Sequence, residues 1–158
     1  MVSLNRNKFK FYSPVKGKVI KLEKVNDLVF SQKLVGDGIA IQPSGDVVVA
    51  PCDGIIKLIF ETNHAFVIVT DEGLEIIVHI GIDTVDLKGE GFIRVAEEDQ
   101  RISVGDEIIK FNKELLENKG CDLTTMILIT NYSKIKEMNC FYLNECLAGE
   151  DIVIEYEI

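Results

Sequence analysis

Two turn-and-strand phrases recur along this chain of 158 residues, and they restrict its possible folds more than any other feature. SPVKGKVIKL (13–22) returns as APCDGIIKLI (50–59): a small residue, Pro, two variable positions, Gly, then a β-branched pair. Pro fixes φ and Gly supplies permissive backbone, so each copy reads as a turn feeding a strand. VGDGIAI (35–41), VGDEIIK (104–110) and AGEDIVI (148–154) form a second set, each with Gly, an acid, one further residue and an Ile that opens an apolar strand. Such units at irregular spacing predict an internally duplicated all-β body with a sandwich-like core. KFKFY (8–12) alternates, which predicts a first strand with Phe9 and Phe11 on one face. Helix is scarce. NKELLENKG (112–120) offers an N-cap, a Leu pair and a terminal Gly for about two turns, and SKIKEM (133–138) predicts about one more.

The length implies a single domain over 1–158, with residues 1–7 a loose polar tail. A net charge of −9 argues against nucleic-acid backbones and anionic membrane surfaces, both of which need clustered Lys and Arg. No apolar run approaches the ~18 residues of a membrane span, so no membrane insertion is expected. Cys52, Cys121, Cys140 and Cys146 show neither CxxC pairing nor metal-like spacing with His. They read as reduced thiols of a cytoplasmic protein, with a bridge between Cys140 and Cys146 as the lesser alternative.

His64 and His79 are the only two histidines, and both lie within FETNHAFVIVTDEGLEIIVHIGIDTVDLKGEGF (60–92). The arms HAFVIVT and LEIIVHI flank the turn chemistry TDEG, which predicts a β-hairpin. If Val69 lies opposite Leu74, His64 falls opposite His79, with Cβ atoms about 4.5–5.5 Å apart. A three-residue DEG loop with a bulge at Gly73 would shift the pairing by one and undo that opposition. Two His are too few for a zinc site, which takes four protein ligands or three plus water. No GxSxG elbow exists, and the nearby hydroxyls are only Thr62 and Thr84. Phosphoryl carriage on nitrogen needs little machinery: one neutral imidazole as acceptor and a second as hydrogen-bond donor suffice. Spacing alone permits this chemistry without selecting it.

The motifs select it. TNHAF, VHIGIDTV and LKGEGF resemble the signature of the glucose-type IIA domain of the bacterial phosphoenolpyruvate-dependent sugar phosphotransferase system. The likeness extends through DLVFSQKLVGDGIAIQPSG (27–45), APCDGII (50–56) and VGDEIIKF (104–111), covering nearly everything from about residue 13 onward. It implies an antiparallel β-sandwich, or barrel-sandwich hybrid, whose histidine accepts a phosphoryl group from the phosphohistidine of HPr and passes it to a cysteine of a sugar-specific IIB domain. By motif match His79 is the acceptor, His64 stabilises the phosphoryl group, and Thr62 helps to orient it. Asp27, Val29, Phe30, Phe60 and Asp83 match positions of the apolar rim and the acids that meet partners. Ile77 and Ile80 stand where better-known members carry Phe, which keeps that patch apolar but flatter. No cofactor and no metal are implied.

A second implied role is regulatory: docking on permeases or metabolic enzymes according to phosphorylation state. Lipoyl- or biotinyl-type carriers share the PVxGxV and VGDxI turns, but they need a modified Lys in an MKM or DKA tripeptide, and neither occurs. Residues 1–12 are too short and too polar to be the amphipathic membrane-associating tail of some members of that family, and with its own Met1 the chain is expected to be a free subunit, with an excised domain of a larger protein as the alternative.

Overall fold

The computed structural model describes residues 8–158, so the expected loose tail at 1–7 lies outside the described residues. Strands β1 (Lys8–Tyr12) and β2 (Gly17–Lys21) lead to a short helix α1 (Leu28–Ser31). Next come β3 (Asp37–Pro43), β4 (Val47–Val49), β5 (Gly54–Ile59), β6 (Ala65–Val69) and β7 (Glu75–Ile80). They are followed by β8 (Phe92–Arg94), β9 (Arg101–Ile102), β10 (Glu107–Phe111), helix α2 (Lys113–Asn118), β11 (Thr125–Ile129), β12 (Glu137–Cys140) and β13 (Ile152–Glu157). A seven-stranded sheet runs in the order β2-β3-β11-β7-β6-β5-β9, and two three-stranded sheets, β1-β13-β12 and β4-β10-β8, complete the body. All the pairings are antiparallel. One contiguous core draws on every sheet, with Phe11, Val48, Ile56, Ile76, Ile109 and Ile154 all in it. The expected all-β sandwich is what forms.

The duplication is visible in backbone hydrogen bonds. Tyr12 N–H donates to Pro51 O at 2.8 Å, and Val49 N–H donates to Pro14 O at 2.8 Å, so the two Pro-bearing turns bond to each other reciprocally. Ser13 N–H donates to Asp151 O and Ser13 O accepts from Gly149 N–H, while Ala50 does the same with Asp106 and Gly105. Gly105 (φ +89°) and Gly149 (φ +71°) both use the left-handed region. The third phrase, VGDGIAI, differs: Gly36 is not among the left-handed glycines, and a Cβ there would lie 2.6 Å from the Ile129 carbonyl oxygen. Its glycine serves close approach to β11 rather than a turn.

Phe9 and Phe11 both stack on Tyr156 of β13, at centroid distances of 5.4 and 4.6 Å, as the alternation of KFKFY predicts. Helix α2 also forms as read, with the Asn112 side chain accepting from Leu115 N–H at 3.1 Å and Gly120 at φ +79°. SKIKEM is corrected. Only a 3₁₀ turn over Tyr132–Lys134 is helical, and Glu137 and Met138 belong to β12. There Met138 pairs with Tyr156 and packs on the core, a tertiary gain that overrides a weak local helix preference. All four cysteines are free, and no helix among the described residues is long and apolar enough to cross a membrane.

Candidate functional site

The hairpin forms with the shifted register. Val69 pairs with Glu75 and Ala65 with His79, so His64 is not opposite His79. The loop explains the shift: Thr70 N–H donates to Leu74 O, Thr70 Oγ1 accepts from Leu74 N–H, and Gly73 takes φ +89°. This is the three-residue loop with its left-handed glycine. Strict alternation would then send His64 to the core face beside Ile80, whose N–H donates to His64 O at 2.7 Å.

The imidazoles nevertheless meet, with centroids 4.8 Å apart and planes at 81°. His64 escapes alternation because β6 starts only at Ala65 and because Asn63 adopts φ +58°. The tight turn Phe60–Asn63, closed by Asn63 N–H to Phe60 O at 2.7 Å, redirects the chain just before His64. Ala65, directly opposite His79, has only a methyl group on that face and leaves room beside the ring.

Each ring is held at Nδ1. His79 Nδ1 lies 2.9 Å from Gly81 O. A carbonyl only accepts, so Nδ1 carries the proton and Nε2 presents a lone pair. His64 Nδ1 shares a 2.6 Å hydrogen bond with Thr62 Oγ1. Phe30 of α1 tilts against His79 at 4.8 Å, and Phe60 meets His64 edge-on at 5.4 Å. Burial pushes the His79 pKa down to about 4, helped by repulsion from His64 and opposed by the Gly81 carbonyl and Asp27. Burial also lowers that of His64. Both rings are therefore neutral near pH 7, and a neutral Nε2 inside an apolar collar is a nucleophile shielded from water.

The remaining predicted positions divide. Asp27 caps α1, its carboxylate accepting from Val29 N–H at 2.9 Å, and its charge reaches His79. Val29 is 46 % exposed beside Leu28 at 71 %, giving the collar an apolar surface. Phe30 and Ile77 pack half-buried around Leu22, Val25, Ala40, Met126 and Leu128, a small cluster separate from the main core. Asp83 is exposed in the left-handed region after β7. Ile80 is a correction: it is fully buried in the main core with Ile76 and Val78, because alternation along β7 turns it away from the face of Ile77 and His79. It cannot line the surface patch.

Several residues that shape the site were given no part in it by the sequence reading. Gly81 (φ +82°) supplies the carbonyl to His79, and a Cβ there would press on the Thr84 side chain. Thr84, buried, donates from Oγ1 to Ile80 O and braces that turn. Arg94 hydrogen-bonds to the Phe60–Asn63 turn. The glycine inside HIGID was the available signal for Gly81; nothing local marks Arg94, which acts across 31 positions. Among the described residues, no group of three or more His, Cys, Asp or Glu is placed to hold a metal ion.

Residues 9–135 match the family model described as phosphoenolpyruvate-dependent sugar phosphotransferase system, EIIA 1. The chain is 48 % identical over 145 residues to the PTS system glucose-specific EIIA component of Haemophilus influenzae, covering 90 % of this chain and 86 % of that protein. The protein of the same name from Buchnera aphidicola (subsp. Acyrthosiphon pisum) is 42 % identical over 153 residues, covering 95 % and 92 %. Among solved structures, glucose permease IIA from Mycoplasma capricolum superposes with a TM-score of 0.85 at 34 % identity, covering 94 % of this chain and 95 % of that one. A family match over most of the length, on a fold that closes two neutral imidazoles into one apolar collar, leads to one conclusion: the chain belongs to the EIIA 1 family of the phosphoenolpyruvate-dependent sugar phosphotransferase system.

Proposed function

We propose that this protein is a phosphocarrier, taking a phosphoryl group from the phosphohistidine of HPr onto His79 Nε2 and passing it to the cysteine of a sugar-specific IIB domain. The observation that carries the assignment is the hydrogen bond from His79 Nδ1 to Gly81 O, which leaves Nε2 unprotonated beside a second imidazole. In the forward step the P–N bond of phospho-HPr breaks as a bond forms between phosphorus and Nε2. Nδ1 keeps its proton, so the phosphorylated ring is a protonated leaving group ready for attack by a thiolate. His64 holds the phosphoryl oxygens: with the Thr62 hydroxyl donating to Nδ1, its Nε2 carries the proton and donates. Asp27 and Asp83 meet arginines on a basic partner, and Val29, Phe30, Phe60 and Ile77 exclude water around the transfer. The whole chain acts as one cytoplasmic domain.

A second reading, a phosphorylation-dependent docking module for permeases or metabolic enzymes, draws on the exposed Leu28, Val29 and Leu34 around the same site. Burying a new dianion against an apolar partner is costly, so phosphorylation would release such a partner.

The test is labelled-phosphate uptake with phosphoenolpyruvate, Enzyme I and HPr. His79→Ala takes up no label, while His64→Ala is labelled but transfers to IIB at least about 100-fold more slowly. Undiminished labelling of the His79 variant refutes the assignment.

A further inference from the structure

We infer that Arg94 is a positioning residue for phosphoryl transfer, acting through the turn Phe60–Asn63 to set the place of His64. This rests on the phosphocarrier reading above. Arg94, exposed on β8, sends Nε to Asn63 Oδ1 at 3.0 Å and Nη2 to Phe60 O at 3.3 Å. The two acceptors are the two ends of the turn, and the turn carries Thr62 and delivers His64. Among the described residues, apart from the His64 imidazole that Thr62 itself holds, no other side chain from outside this turn hydrogen-bonds to it. The turn also holds a conformation that a non-glycine residue adopts reluctantly, with Asn63 at φ +58°. Behind it lies Gly89, where a Cβ would meet the Thr62 backbone oxygen at 3.7 Å, an ordinary van der Waals distance.

The mechanical difference between the two histidines makes this contact matter. His79 sits inside β7, paired on both sides by β6 and β11. The position of His64 depends on a four-residue turn, and a planar guanidinium spanning both ends is the device that stiffens it. An ammonium on a flexible stem presents a point charge without the fork. Arg94→Lys should therefore keep the local charge and lose the clamp.

The experiment compares Arg94→Met, Arg94→Lys and Asn63→Gly in the full chain. Asn63→Gly retains the backbone freedom and removes only the side-chain acceptor. Single-turnover transfer from phospho-HPr to the protein and onward to IIB is expected to slow about tenfold to 100-fold in Arg94→Met, with the KM for phospho-HPr unchanged. Lys should fail to rescue, and Asn63→Gly should show part of the loss. In a His64→Gln background, Arg94→Met should add less than about twofold, because the two substitutions remove the same function. Nitrogen-15 spectra of the imidazoles should change for His64, from one tautomer to a mixture, and stay constant for His79. These spectra need no phosphoryl donor, so they test the clamp even if the wild-type protein takes no label, which would instead refute the phosphocarrier reading. Full rescue by Lys, a rise in KM in place of the rate loss, additivity with His64→Gln, or an unaltered His64 spectrum overturns the inference.

Discussion

His79 and His64 face each other across 4.8 Å but are held by opposite kinds of backbone. His79 lies near the end of a strand flanked by ladders on both sides, and its side-chain direction follows from alternation. His64 lies one residue before a strand, and a left-handed Asn63 overrides the direction that alternation would dictate. Across this pair, the ring that we propose receives the phosphoryl group is fixed by sheet geometry, whereas its helper follows a turn that Arg94 contacts from β8.

Gly81→Ala should have the largest effect on the His79 side. A side chain there must adopt φ +82° and displace Thr84, which should cost about 3 kcal/mol of stability and move the carbonyl that holds Nδ1. Denaturant midpoints and label uptake should fall together; an intact midpoint with intact uptake would mean that His79 does not depend on this carbonyl. On the other side of the pair, Thr62→Val removes the 2.6 Å bond to His64 while nearly preserving shape. Transfer to IIB should slow about tenfold with little change in melting temperature, and a large stability loss would show that the turn, not the hydrogen bond, is what Thr62 maintains.

Acid should separate the rings more gently. Folded His79 binds a proton only near pH 4, whereas an unfolded histidine does so near 6.5. As pH falls through that window the unfolded chain takes up protons first, so the contribution of His79 to stability drops by about 1 kcal/mol per pH unit, levels off below about 4, and is unchanged above about 7. In His79→Gln the share of this slope that His79 contributes between pH 6.5 and 4 should be gone, leaving the share of His64, which burial also lowers. An unchanged slope would assign the acid sensitivity elsewhere.

Part of this architecture was legible in the residues themselves. The paired Pro-x-x-Gly phrases announced a duplicated β body, because each carries its own turn chemistry and needs no distant partner to be read. The alternation of KFKFY and the caps of α2 were legible for the same reason. SKIKEM misled, because β12 exists only by pairing with β13. Helix α1 is too short for any periodicity to announce it, although Asp27 at its cap was singled out for another reason.

The chain alone therefore determined the composition of the site: two imidazoles, a threonine two residues before one of them, and glycines after the other. Local rules of turns and strands sufficed to place those residues near one hairpin. Whether the rings would meet was not decided locally. The register slipped by one residue at Gly73, and that slip should have parted the rings. They meet because Asn63 turns left-handed, Ala65 leaves space, and Arg94 reaches in from β8. The left-handed Asn63 is a local turn, but the pairing of Ala65 with His79 and the reach of Arg94 join separate segments, and they form only when the sheets close on one core.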